Sequence, residues 1–79
     1  MLEAEIFLKY DDERLAEAIA KAVSPDNFKA PTGLSIKTTR TGKEILTKIK
    51  YDGKITTFIA TIDDLLFSVS TAEKVLKLL

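Results

Sequence analysis

From Ala4 to Tyr10 the chain alternates, with Ala4, Ile6, Leu8 and Tyr10 on one side and Glu5, Phe7 and Lys9 on the other. A two-residue repeat belongs to a strand with one buried face, and Phe7 alone breaks the polar side. Asp11-Asp12-Glu13 then puts capping and negatively charged side chains where a helix N-terminus favours them, and Leu15, Ile19, Ala22 and Val23 follow at helical spacing. The pattern predicts a first helix over about Asp12 to Val23. Alanines at 16, 18, 20 and 22 favour the helix and carry little bulk, so a neighbouring backbone can approach closely. Ser24-Pro25-Asp26-Asn27 ends it, because Pro25 has no amide proton and disfavours helical geometry in the residue before it.

Beyond Pro31 and Gly33, Leu34, Ile36 and Thr38 alternate with Ser35, Lys37 and Thr39. Ile45, Thr47, Ile49 and Tyr51 alternate with Leu46, Lys48 and Lys50. With Gly42 between the two runs, the pattern predicts a β-hairpin with strands over about 34–41 and 44–51. The last third admits two readings. Asp52-Gly53 is a hairpin dipeptide, residues 55–59 are rich in β-branched and aromatic side chains, and Thr61-Ile62-Asp63-Asp64 has the form of a box capping a shorter helix. Against this, Ile55, Phe58, Ile62, Leu65, Val69, Ala72, Leu76 and Leu79 recur at intervals of three and four without a slip. The unbroken stripe favours one long helix from about Lys54. Phe67, Val75 and Leu78 lie off that stripe. They either meet another polypeptide, which makes them the partner-binding candidates, or are covered by the first helix.

A length of 79 residues fits one small domain, 1–79, and excludes a large cleft between two subdomains. The chain has no Cys and no His, which removes thiolate chemistry, disulfides, the commonest general base and the commonest transition-metal ligands. Asp63 and Asp64 are neighbours, and on a helix neighbours diverge by about 100°, so they do not present two carboxylates to one atom. Three glycines do not make a phosphate loop, and Ser24, Ser68 and Ser70 have no histidine base. The expectation is a non-catalytic chain with no cofactor and no metal. Met1-Leu2 is followed by Glu3 and Glu5 rather than a basic leader, and no uncharged apolar run approaches the roughly 18 residues of a membrane span. A soluble, cytoplasmic chain with no membrane partner is expected.

Twelve basic and twelve acidic residues sum to zero, so bulk charge points to no partner, yet the distribution is uneven. Residues 1–28 carry seven acids and three bases, and residues 29–54 carry two acids and seven bases. Lys37, Lys48 and Lys50 are expected on the hairpin face opposite the apolar one, with Lys9 beside them and Arg40, Lys43 and Lys54 near its ends. Lys37, Arg40, Lys48 and Lys50 are the nucleic-acid-binding candidates. The alternative is that they keep an exposed strand surface soluble.

Strand, helix, Ser24-Pro25-Asp26-Asn27, hairpin, and a final helix carrying Ala60-Thr61-Ile62-Asp63-Asp64-Leu65-Leu66 and Ala72-Glu73-Lys74 together resemble the small Pcc-type subunit of the KEOPS complex, archaeal members above all. The resemblance runs over nearly the whole chain and rests on the order of short motifs. It implies an α+β fold, a three-stranded antiparallel sheet with two helices on one face, in the order β-α-β-β-α. It also implies a non-catalytic dimerisation scaffold that pairs with itself or a paralogue. Such a scaffold docks through its helices on the ATPase-like catalytic subunit that makes N6-threonylcarbamoyladenosine in tRNAs reading ANN codons, and it helps hold tRNA. The alternative from the residues is a stand-alone α+β domain binding single-stranded RNA on its sheet, for which Phe7 is the one clear outward platform.

Overall fold

The computed structural model describes residues 1–23 and 32–77. Strand β1 (Leu2–Lys9), helix α1 (Glu13–Ala22), the hairpin strands β2 (Leu34–Thr41) and β3 (Glu44–Tyr51), and helix α2 (Ile55–Lys77) come in the expected order. The final segment is therefore one helix of 23 residues, about 35 Å long at 1.5 Å per residue. β3 lies at the centre of an antiparallel sheet of order β1-β3-β2. Strand β1 starts two residues earlier than the alternation predicted, because Leu2 continues the inward parity opposite Tyr51. Tyr10 lies just outside the strand, although its amide still donates to the Lys43 carbonyl at 2.9 Å.

Glycine shapes both ends of the hairpin. Gly42, at φ 60, takes the first position of the two-residue loop that joins Thr41 to Glu44, where a II′ turn favours glycine. Gly53 comes after Asp52 at the exit of β3, where a Cβ would run into the Tyr51 ring, and the chain enters α2 two residues later with no strand between. The Asp52-Gly53 signal marks a turn, and helical periodicity governs the chain from Ile55 onward.

Asp12 caps α1, its carboxylate accepting the Arg14 amide at 2.8 Å, and Val23 closes it. Ala16 and Ile19 are fully buried, with Leu15 and Ala20 packed beside them. Ala22, expected in the buried set, is exposed: it falls about 100° round the helix from buried Val23. The Ser24-Pro25-Asp26-Asn27 stop lies outside the described residues.

The inner face of the sheet carries Leu2, Ala4, Ile6 and Leu8 from β1, Ile45, Thr47, Ile49 and Tyr51 from β3, and Leu34, Ile36, Thr38 and Arg40 from β2. Both helices lie on this face. Phe58, Ile62 and Leu65 from the first half of α2 pack with Ile49, Tyr51 and their neighbours, and Ala72 and Leu76 from its second half join Ala16, Ile19 and Ile45. Half-buried Thr38 and buried Thr47 bond through their hydroxyls at 3.0 Å, which satisfies the polar groups inside an apolar layer.

By length and composition Ile55–Leu76 is apolar enough to cross a membrane, with a mean hydropathy of 1.3. This revises the expectation that no such stretch exists, which counted only uncharged runs, whereas this one contains Asp63 and Asp64 near its middle. Each aspartate would cost about 2.5–3.5 kcal/mol at a bilayer centre. In the fold Phe58 and Val69 are buried and Ile62 and Leu65 half-buried, while most of this stretch is exposed.

Candidate functional site

Two exposed surfaces carry the candidate residues: the outer side of α2 and the open face of the sheet. On α2 the inward stripe is Phe58, Ile62, Leu65, Val69, Ala72 and Leu76, buried at Phe58 and Val69 and half-buried at the other four, along the spacing predicted, except that Ile55 is exposed at the helix start. Phe67 is 73% exposed and Val75 54%. The first helix does not hide them, because its contacts with α2 run through Ala72 and Leu76 on the inner side. Leu78 lies outside the described residues.

Phe67 and Val75 do not form one patch. Eight positions on a helix place them about 12 Å apart along the axis and about 80° apart around it. A more coherent strip is made by residues that the sequence reading did not single out. Ile55, Ile59 and Leu66 are all exposed, and with the half-buried Ile62, which borders the inward stripe, they repeat at intervals of four, three and four. That spacing keeps the four side chains on one arc of the helix. The legible signal was a second periodic row parallel to the first. Phe67 follows Leu66 about 100° further round, so it faces away from this strip. A soluble monomer seldom leaves such a continuous apolar row in water.

A short polar tie fixes how α2 lies. The Tyr10 hydroxyl donates to Glu73 Oε2 at 2.8 Å, joining the end of β1 to the second half of α2. Desolvation, then the hydrogen bond to Glu73 and its negative charge, push the Tyr10 phenol far above its ordinary value. This keeps Tyr10 a proton donor and leaves it unsuited to act as a base. On α1, the Lys21 ammonium bonded to Glu17 at 3.1 Å holds that carboxyl below the usual range. Among the described residues no cluster of three or more His, Cys, Asp or Glu is placed to hold a metal.

The open face of the sheet carries Lys37, Lys48 and Lys50, as expected, with Lys37 and Lys48 directly paired across β2 and β3. Arg40 does not join them. Its position has inward parity, and its guanidinium reaches Glu13 on α1 at 3.5 Å and donates to the Gly42 carbonyl at 2.8 Å. The three lysines share their face with Lys9 and with Glu3, Glu5 and Glu44, four bases against three acids, so the basic block does not become a basic surface. Lys50 lies 3.9 Å from Glu3. Among the described residues Phe7, 59% exposed, is the one aromatic side chain on this face, with Leu46 opposite it.

A three-stranded antiparallel sheet with both helices on one face and a long apolar helix half in water defines a small α+β class. A chain of the crystal structure of the binary complex Gon7-Pcc1 has this fold, with a TM-score of 0.82 and 16% identity over 98% of this chain and 94% of that one. The fold expected from the Pcc-type resemblance is the one observed. Protein-family models and curated proteins gave no match to the chain.

Proposed function

We propose that the chain is a non-catalytic scaffold and dimerisation subunit of a KEOPS-type assembly, supporting N6-threonylcarbamoyladenosine modification of tRNAs reading ANN codons. The observation that carries this reading is the exposed strip Ile55, Ile59 and Leu66 on the long helix of a fold shared with a chain of the Gon7-Pcc1 complex. The strip docks a helix of the ATPase-like catalytic subunit, and the chain pairs with itself or a paralogue. A helical partner explains the four-three-four spacing, and the Asp63-Asp64 pair disfavours a membrane as the alternative cover. The chain itself performs no chemistry in this role, which suits a sequence without His or Cys.

The tRNA contact is a supporting one. It falls to the paired Lys37 and Lys48, since Lys50 faces Glu3 and Arg40 is held by Glu13. A stand-alone RNA-binding domain is the weaker reading, because it needs a row of stacking platforms where this sheet offers Phe7. The test is capture from an extract of the source cells with the tagged chain. Recovery of the ATPase-like tRNA-modifying subunit, lost on Ile59→Lys, supports the scaffold. Recovery of RNA with no such protein would replace it by the second reading.

A further inference from the structure

Asp63 is exposed near the middle of α2, and its helical neighbours three and four positions away on either side are Ile59, Ala60, Leu66 and Phe67. One carboxylate is thus ringed by apolar side chains, of which Ile59, Leu66 and Phe67 are large and in water. Ile59, Asp63 and Phe67 form one row, each about 40° round the helix from the last, so Asp63 lies between the Ile59–Leu66 strip and the Phe67 ring. The helix does not neutralise it. A Lys or Arg would have to stand at one of those four positions, and among the described residues no ion pair involves Asp63. Asp64 differs, because Thr61 and Ser68 lie on its far side and the surface turns polar there. Any polypeptide that covers Ile59 and Leu66 also covers Asp63, and a carboxylate taken out of water without a counter-charge weakens the contact around it.

We propose that Asp63 and Phe67 together receive an arginine of the polypeptide that docks on α2, an inference that rests on the docking reading above and adds the chemistry of its partner. Arginine suits this pair better than lysine. Its guanidinium pairs with a carboxylate, stacks on an aromatic ring one helical turn away, and gives up its water more readily than an ammonium. Its methylene stem lies along Ile59 and Leu66. The apolar ring keeps water from the ion pair, which strengthens it. The charge also selects the occupant: a bilayer interior supplies no counter-charge, and a nucleic acid is repelled by Asp63 and Asp64.

Two helical peptides with the same leucine stripe test it, one with an arginine beside the stripe and one with citrulline, its uncharged counterpart, in that place. Their binding is read by fluorescence anisotropy with wild type, Asp63→Asn, Asp64→Asn and Phe67→Leu, each checked for native circular dichroism. Wild type is expected to bind the arginine peptide about ten-fold more tightly than the citrulline peptide. Asp63→Asn is expected to remove that preference, Phe67→Leu to reduce it about three-fold, and Asp64→Asn to leave it within about two-fold. Equal binding of the two peptides to wild type, binding of neither, or a preference that survives Asp63→Asn overturns the inference, as does one that Asp64→Asn removes as fully. Cosedimentation with phosphatidylcholine vesicles would give the apolar ring to a bilayer and overturn it too. Capture of the ATPase-like subunit separates the two proposals. An arginine preference in a chain that captures nothing leaves the charge site standing without that partner, whereas capture that Ile59→Lys abolishes and Asp63→Asn leaves unchanged keeps the docking and overturns the arginine.

Discussion

Tyr10→Phe removes one oxygen and with it the bond from the end of β1 to Glu73 on α2, 63 positions away in sequence. A hydrogen bond to a charged acceptor contributes about 1.5–3 kcal/mol when buried, and partial exposure here lowers that to about 1 kcal/mol. In a domain of this size 1 kcal/mol moves the melting temperature by about 4–8 °C. The phenol titrates at 10.0 in the unfolded chain and above that in the fold, so the folded state holds the proton more tightly. Its contribution is therefore complete below pH 10 and is lost as pH rises towards the folded value. Thermal melts of wild type, Tyr10→Phe, Glu73→Gln and the double variant are expected to show a non-additive loss, and wild type is expected to lose stability above pH 10 more steeply than Tyr10→Phe. Additive losses, or parallel alkaline slopes, would refute the idea that this bond anchors the long helix.

The packing of the interior makes two more outcomes testable. Thr38→Val leaves the buried Thr47 hydroxyl without its partner and should cost about 1–3 kcal/mol, while changing both threonines to valine should cost much less; equal losses in chemical denaturation would contradict this. Gly53→Ala places a methyl group on the Tyr51 ring, and the displaced aromatic should lower stability by about 1–3 kcal/mol, read as a reduced denaturation midpoint. A neutral Gly53→Ala would mean that the turn into α2 has room the structure does not give it.

The elements were legible because each keeps a single period. The hairpin alternates without interruption, so its strands fall on the predicted residues, and Gly42 supplies the one backbone conformation its loop requires. The final helix was legible from its unbroken stripe, even though Asp52-Gly53 and the β-branched run after it pointed locally to a strand. Pattern over 23 residues outweighs the propensity of five. The site was only half legible. One helical stripe was read as the buried one, and side chains off it as candidates for a partner, which picked out exposed Phe67 and Val75 but not exposed Ile59 and Leu66. Those two continue the apolar arc beside the buried stripe, and only the position of the sheet edge decides where burial stops. The basic block misled for a related reason. Strand β1 lies far from β3 in sequence, and its glutamates reach the lysines only through the antiparallel pairing.

The claim at the centre is that the Ile55–Ile59–Leu66 strip of α2 is where another helix seats. Titration calorimetry of the purified ATPase-like subunit with wild type, Ile59→Lys and Leu66→Lys addresses it directly. Both positions are about half in water, and Asp63 lies within a helical turn of each, so the lysines should leave the fold intact. Burying half an isoleucine is worth about 1 kcal/mol, and a charge trapped in an apolar seam adds to the loss, so each substitution is expected to weaken binding by at least ten-fold. Unchanged affinity for both variants, with a chain that still melts like wild type, would contradict the account.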